Sequence, residues 1–213
     1  MMSGLEKWTD KQIESTLAPY GRIATPHQCR SIRLYVDLLL RWNRKLSLTA
    51  VTNPSEILRF HIGESIAAIP VAGISRGRLA DVGSGAGIPG IPLALFSPDL
   101  EVTLIESSNK KATFLAEVQR SLEMVNVHVF RGRFESMQPS STKFDTVTAR
   151  ALGSYATLLR WSTGILTANG RIVLWLGAED AHVISQTARW AWNSPQELPH
   201  AAKRVILVGQ PLG

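Results

Sequence analysis

The residues with the clearest chemical meaning are closely spaced glycines that follow a short apolar segment. The segment RLADV contains Asp81, and Gly83, Gly85, Gly87 and Gly90 come directly after it, before the apolar run IPLALF. Glycines at such a turn let the backbone bend sharply and approach a ligand closely. The pattern predicts a strand, a ligand-binding loop and a helix, in that order.

A second acidic residue lies one predicted strand further along the chain. Glu106 ends the segment VTLIE, and a carboxylate in this position of a Rossmann-like sheet can accept hydrogen bonds from both hydroxyls of a ribose. Together with the glycine loop, Glu106 predicts an adenosine site at the carboxyl edge of the sheet.

Two kinds of cofactor use such an adenosine site. Gly85, Gly87 and Gly90 formally match the GxGxxG fingerprint of dinucleotide-binding loops, which would indicate an NAD-dependent oxidoreductase or a flavin enzyme. Asp81 favours the other kind, S-adenosylmethionine, because a carboxylate beside the loop would repel a pyrophosphate and attract the cationic methionine end. The residues therefore favour S-adenosylmethionine, and the dinucleotide stays open as the alternative.

The residues after the predicted fourth strand bear on which atom accepts the methyl group. Methylation of a pyrimidine at carbon-5 needs a cysteine nucleophile, and the one cysteine, Cys29, is far in sequence from the strand ends. We expect Cys29 to be a small buried residue. Methylation of an exocyclic amine uses a polar-Pro-Pro-aromatic run, whereas this chain reads Thr148-Ala149-Arg150-Ala151. A ring nitrogen with a free lone pair, such as guanine N7, fits best and needs no general base.

Arginines mark the ends of the third and fourth predicted strands. Arg150 ends FDTVTAR, while Arg131 and Arg133 close VHVFRGR, with Glu135 shortly after them. Arg150 is expected either to anchor a phosphate or base or to pair with a nearby acid. A carboxylate or amide near Glu135 would meet the adenine, and the two other arginines either face a nucleic acid or lie in solvent.

The order of apolar segments predicts an α/β fold. From Arg78 onward, short apolar strands alternate with helical segments, which is typical of βαβ units in a mostly parallel, doubly wound, Rossmann-like sheet. The first seventy residues show helical spacing instead. We expect two parts, a helical N-terminal cap over 1–73 and a cofactor-binding domain over 74–213.

Capping residues indicate where the N-terminal helices begin. Thr25 precedes Pro26 at one predicted start, and Asn53 precedes Pro54 at the next. Six basic residues and one acidic residue lie over 22–45, within a chain of net charge +6. This patch either binds a polyanion such as RNA or is a solvated helix face.

Composition limits the class of protein. Hydrophobic residues make up 45% of the chain, but the longest apolar stretch, 66–74, is well short of the ~20 residues that span a bilayer. A single cysteine allows neither an intramolecular disulfide nor a CxxC-type zinc site. We therefore expect a soluble, cytoplasmic protein with no membrane or metal partner.

These motifs together resemble a known family. The resemblance covers about 22–208 and is carried by RWNRKLSLTAV, RFHIGESI, DVGSGAGIPGIPLAL, KKATFL, RGRFE and FDTVTARAL. They are similar to the ribosomal RNA small subunit methyltransferase G family, also called glucose-inhibited division protein B. The resemblance implies methyl transfer from S-adenosylmethionine to N7 of a guanine in bacterial 16S rRNA, near the decoding centre. It also implies a class I methyltransferase fold.

The resemblance further implies roles for individual residues. Gly83 and Ile88 would line the methionine and ribose side of the cofactor, and Phe134 and Glu135 would hold the adenine. Arg150 would reach the cofactor or the incoming guanine. The full set of residues expected at the cofactor is Asp81, Gly83, Gly85, Ile88, Glu106, Phe134, Glu135 and Arg150.

Three basic residues are expected on the catalytic, RNA-facing side of the site. They are Arg150, Lys111 and Arg133. The chain departs from the usual family pattern at Ser47, Glu64 and Leu176, and the last of these replaces a lysine with an apolar residue.

The resemblance also sets the expected partners. We expect 16S rRNA or the small ribosomal subunit as the partner of a monomeric protein. A catalytically silent RNA-binding assembly factor and an NAD-dependent oxidoreductase are the alternatives.

Overall fold

The N-terminal part of the chain is helical, as its residue spacing predicts. In the computed structural model, which describes residues 8–137, 143–201 and 203–212, Thr25 caps a 21-residue helix through a capping box with Gln28. Asn53 caps the next helical run. The elements are α1 (Asp10–Leu17), a 3-10 turn (Ala18–Tyr20), α2 (Pro26–Leu46), α3 (Pro54–Glu56), a π-helical stretch (Ile57–Gly63), α4 (Glu64–Ile66) and α5 (Ala68–Ala72).

A single mixed sheet forms the centre of the α/β part. Its order is β3-β2-β1-β4-β5-β8-β6, with β7 paired to β8. The first five of these run parallel, and β8 is antiparallel to β5, β6 and β7. The strands are β1 (Arg76–Val82), β2 (Asp99–Glu106), β3 (Val127–Arg131), β4 (Phe144–Arg150), β5 (Leu166–Gly177), β6 (Trp190–Trp192), β7 (Gln196–Glu197) and β8 (Arg204–Pro211).

Helices cover both faces of this sheet. Alternate residues of β1 point to opposite sides, so Leu79 joins one hydrophobic core and Ala80 joins the other. The first core also contains side chains of α1, α2, α6 and α7, while α8 and α9 pack in the second. These helices are α6 (Gly90–Phe96), α7 (Asn109–Ser121), α8 (Tyr155–Ile165) and α9 (Ala178–Ser185).

Helix α2 fixes the position of the glycine loop. The hydroxyl of Tyr35, which is fully buried, donates to the carbonyl of Ala86 over 2.8 Å. Trp42 packs against Phe114 of α7, with ring centroids 5.8 Å apart. The N-terminal helices therefore share a core with the sheet and support the loop from behind.

The sequence predicted the parallel strands and the long helices correctly, and Cys29 is fully buried as expected. It did not predict β6 and β7, which are three and two residues long, respectively, and antiparallel to β8. Asp37 pairs with Arg41 at 2.9 Å, whereas Arg33 pairs with Asp10 of α1 instead. Among the described residues, no helix is both long and apolar enough to cross a membrane.

Candidate active site

Backbone amides of the glycine loop after β1 donate hydrogen bonds to residues at the end of β2. The N–H groups of Gly83 and Ser84 both donate to the carbonyl of Ile105, over 2.9 and 3.1 Å. Gly85 N–H donates to Oε2 of Glu106 over 2.9 Å. Since the amides of Gly83, Ser84 and Gly85 already have protein acceptors, they are not free to bind a pyrophosphate.

Asp81 lies beneath this loop, with no exposed surface. Its Oδ1 accepts from the Thr148 hydroxyl over 3.0 Å, and its Oδ2 accepts from Gly90 N–H over 3.3 Å. Burial raises the pKa of the Asp81 carboxyl from 3.8 to about 6. The observed role of Asp81 is to join β4 to the start of α6, and direct contact with a cofactor stays a prediction.

Glu106 is also committed to the backbone. Its two carboxylate oxygens accept from Gly85 N–H over 2.9 Å and from Ser108 N–H over 2.7 Å. The side chain therefore fixes the glycine loop against the start of α7. Each carboxylate oxygen can accept a further hydrogen bond, so the predicted ribose contact is compatible with this geometry and stays a prediction.

A large cleft at the carboxyl edge of the sheet has a volume of about 510 Å³. It brings together Gly83, Arg133, Phe134 and Glu135, which the sequence assigned to the cofactor or RNA side. The other lining residues are Ile105, Ser107, Gly132 and Leu152. The Phe134 ring lies edge-on to Trp161, with centroids 5.3 Å apart.

Other predicted residues lie outside the lining of this cleft. Gly85, Ile88 and Lys111 are half-buried, and Lys111 is the third residue of α7. Arg133, which does line the cleft, has a side chain that is 79% exposed, and its Nε lies 3.7 Å from Oε2 of Glu135. The cofactor contacts predicted for Gly85 and Ile88 and the RNA-facing role predicted for Lys111 stay predictions.

Arg150 does not enter the large cleft but pairs with an acid, one of the two outcomes considered from sequence. Its Nη2 lies 2.9 Å from Oε2 of Glu64, and its Nη1 donates to the carbonyl of Phe60 over 2.8 Å. The other Glu64 oxygen lies 2.6 Å from Nη2 of Arg204. The guanidinium of Arg204 also stacks over the Phe60 ring, 4.9 Å from its centroid.

Burial governs the electrostatics of this charge cluster. Desolvation raises the pKa of Glu64, whose side chain is fully buried, while both arginines act to lower it. Desolvation likewise lowers the pKa of Arg150, and Glu64 opposes that shift. Because two guanidinium groups share one carboxylate, the cluster of Glu64, Arg150 and Arg204 carries a net positive charge.

This cluster forms one side of a second, smaller cleft of about 230 Å³. Ala151 lines the small cleft and the next residue, Leu152, lines the large one, so the two clefts adjoin where β4 ends. Ala151 has φ 55°, in the left-handed region. The remaining lining residues are Tyr155, Trp175, Leu176, Gly177, Asp180 and Leu198.

Sequence reasoning missed Arg204 entirely and noted Glu64 only as a departure. They lie 140 positions apart, and no local spacing connects them. The contact depends on the pairing of β8 with β5, which places Arg204 opposite Gly177. This antiparallel pairing was not predicted from the sequence.

The donor set suits S-adenosylmethionine better than a dinucleotide or a metal. The amides of Gly83, Ser84 and Gly85 have protein acceptors, and Glu106 and Glu135 supply carboxylates near the loop and the large cleft. Within the ranges that the structure describes, no group of three or more His, Cys, Asp or Glu residues could hold a metal ion.

Solved structures with the same architecture define the class. The fold matches the ribosomal protein L11 methylase from Lactobacillus delbrueckii subsp. bulgaricus with a TM-score of 0.60, at 17% identity, covering 73% of this chain and 80% of that one. It also matches the glycopeptide N-methyltransferase MtfA complexed with sinefungin, with a TM-score of 0.61, 12% identity and coverage of 72% and 87%. The fold is that of a class I S-adenosylmethionine-dependent methyltransferase.

Sequence comparison then identifies the family. The family model described as rRNA small subunit methyltransferase G matches residues 28–203. The ribosomal RNA small subunit methyltransferase G of Stutzerimonas stutzeri is 35% identical over 175 residues, which are 80% of each chain. This chain belongs to the rRNA small subunit methyltransferase G family, as its motifs predicted.

Proposed function

We propose that this protein transfers a methyl group from S-adenosylmethionine to N7 of a guanine in the 16S rRNA of the small ribosomal subunit. The observation that carries the proposal is the pair of adjoining clefts at the end of β4. One is large enough for the cofactor, and the other is bordered by a positively charged cluster. Membership of the methyltransferase G family supplies the nucleic acid and the reaction class.

The reaction needs positioning more than proton transfer. Bound S-adenosylmethionine supplies a methyl carbon activated by a sulfonium. Guanine N7 attacks that carbon with its lone pair, so the nitrogen–carbon bond forms as the carbon–sulfur bond breaks. N7 carries no proton, and no base is required. The protein accelerates the step by holding the two partners in line.

The residues of the large cleft hold the cofactor in this proposal. Phe134 and Glu135 contact the adenine, and Gly83 leaves room for the methionine side. The Glu106 carboxylate accepts hydrogen bonds from the ribose hydroxyls in addition to those from its two backbone partners. Asp81 acts from below by keeping the loop attached to β4.

The basic residues face the RNA. Arg150, held by Glu64 and by the Phe60 carbonyl, orients the target nucleotide at the end of β4. Lys111 and Arg133 contact phosphates near the mouth of the large cleft. Arginine suits this task because its planar fork matches a phosphate.

The N-terminal helices, which lie between Asp10 and Ala72 of the predicted cap, help to dock the RNA; residues 1–7 of that cap lie outside the described ranges. Arg30, Arg41, Arg44 and Lys45 are exposed along α2, and such a row of cations attracts a polyanion. The protein acts as a monomer in the cytoplasm, where it meets the ribosomal subunit.

Calorimetric titration tests the cofactor, and transfer of labelled methyl to small subunits tests the reaction. We expect tight binding of S-adenosylmethionine, no binding of NADH, and label in 16S rRNA. Binding of NADH instead would indicate an oxidoreductase. Binding of neither ligand, with retained affinity for subunits, would indicate a silent assembly factor.

A further inference from the structure

The walls of the small cleft suit a flat aromatic ring. Trp175, Leu176 and Leu198 are at most 5% exposed and form apolar walls, and Tyr155 adds a further aromatic side chain. Enzymes that modify a base hold it outside the helical stack, between apolar or aromatic side chains, and recognise it by its Watson–Crick edge. The small cleft has the lining of such a base pocket.

The two acidic residues that line the small cleft, Glu64 and Asp180, differ in how freely their carboxylates can bind a base. Both Glu64 oxygens contact guanidinium groups and its side chain has no exposed surface, so Glu64 has little capacity to bind a base. Asp180 is exposed, lies in the first turn of α9 and lines the cleft. None of the ion pairs among residues 8–137, 143–201 and 203–212 involves Asp180.

We propose that Asp180 selects the target guanine by accepting hydrogen bonds from N1–H and from the 2-amino group, with the base held in the small cleft. The inference rests on the proposed function and assigns the residue that reads the base. A carboxylate pairs with two adjacent donors through its two oxygens, and charge-assisted bonds of this kind are strong.

The order of the strands supports this orientation. β5 lies beside β4 on the side away from β1, and Asp180 follows β5, whereas the large cleft is bordered by Gly83 after β1 and Leu152 after β4. The strand order therefore places Asp180 after β5, on one side of β4, and the Gly83 border of the large cleft after β1, on the other side. In guanine, N7 and the N1/2-amino edge are also on opposite sides of the ring. With that edge on Asp180, N7 points towards the large cleft.

The same contact excludes adenine. Adenine carries an unprotonated N1 where guanine has N1–H, so its lone pair would face the Asp180 carboxylate without a proton between them. A site built to hydrogen-bond particular donors of one substrate discriminates against an analogue that lacks those donors.

Inosine provides a direct test, since it lacks the 2-amino group but keeps N1–H, O6 and N7. The full-length protein, Asp180→Asn and Glu179→Gln are each given small subunits reconstituted with guanosine or inosine at the target position. Glu179 is the matched control, because it lies in the same first turn of α9 and lines neither cleft. Methyl-transfer rates and the affinity for S-adenosylmethionine are measured for every protein.

Loss of a hydrogen bond to a charged group predicts that the unsubstituted protein transfers methyl to inosine about 10- to 100-fold more slowly than to guanosine. Asp180→Asn should be slowed to a similar extent on guanosine and should discriminate little between the two bases. Its affinity for S-adenosylmethionine and the behaviour of Glu179→Gln should be unchanged.

If Asp180→Asn transferred methyl at the same rate as the unsubstituted protein and with the same preference for guanosine over inosine, the inference would be overturned. The proposed function would still stand. Equal losses in Asp180→Asn and Glu179→Gln would also overturn the inference. Failure of the unsubstituted protein to methylate guanosine-containing subunits would overturn the proposed function and this inference together.

Discussion

Arg150 and Glu64 form an ion pair in which Nη2 of the arginine lies 2.9 Å from Oε2 of the glutamate, whose side chain is fully buried. The two residues are 86 positions apart and join the end of β4 to the N-terminal helices. A buried carboxylate without partners would be strongly unfavourable. The pair therefore makes the N-terminal segment part of the wall of the small cleft.

Replacing Arg150 by lysine should separate RNA positioning from cofactor binding. Lysine keeps the charge but cannot contact Glu64 and the Phe60 carbonyl with the same fork geometry. We expect methyl transfer to fall by about 100-fold, as for a misplaced reacting group. The affinity for S-adenosylmethionine, measured by calorimetry, should stay nearly constant because Arg150 does not line the large cleft. Equal losses in both measurements would assign Arg150 to the cofactor instead.

Asp81 should make stability depend on pH. Its pKa is raised from 3.8 to about 6 in the folded state by burial, so the folded protein retains a proton that the unfolded chain releases. The resulting stabilisation is present below about pH 4 and is lost as the pH rises through 6.

The measurement is urea unfolding of the unsubstituted protein and of Asp81→Asn across this range. The unfolding free energy of the unsubstituted protein, relative to Asp81→Asn, should fall by about 2 kcal/mol between pH 4 and pH 7. A constant difference over that range would show that Asp81 titrates normally.

Gly83 should be required for cofactor affinity. It has φ +70°, and an added Cβ would lie 3.1 Å from Cδ1 of Leu152 at the large cleft. Gly83→Ala is therefore strained by roughly 1 kcal/mol in its backbone alone. Because the added methyl group would also stand at the cleft lining, we expect S-adenosylmethionine to bind about tenfold more weakly. Gly153→Ala is the control, since its Cβ would meet nothing within 4 Å. Equal affinities in the two variants would contradict the assignment of the large cleft.

The exposed cations of α2 should contribute to RNA binding. Reversal of Arg41 and Arg44 to Glu should lower affinity for small-subunit RNA and reduce the slope of log affinity against log salt by about 2. A matched double reversal at Arg76 and Arg78, exposed at the amino end of β1, should leave the slope unchanged. An unaltered slope in the α2 variant would make this patch a solvated face.

Local signals in the sequence were sufficient for much of the fold. The Thr25–Pro26 and Asn53–Pro54 pairs located helix starts, because capping depends on neighbouring residues. The glycine spacing located the loop between β1 and α6. These features need only short stretches of chain and are readable without tertiary contacts.

The contacts that build the small cleft depend on residues far apart in the chain. Arg204 reaches Glu64 only because the antiparallel strand β8 pairs beside β5. The hydrogen bonds to the Asp81 carboxylate come from Thr148 in the neighbouring strand and from Gly90 in α6. The sequence indicated an acid at the loop, but its partners are set by strand pairing.

Nucleoside analysis after transfer of labelled methyl from S-adenosylmethionine to small subunits would show whether this protein methylates guanine N7. The subunits come from cells that lack the endogenous enzyme, so that the target position is unmodified. We expect the label to be recovered as 7-methylguanosine from 16S rRNA. Label in another nucleoside, or binding of S-adenosylmethionine without transfer, would contradict this expectation.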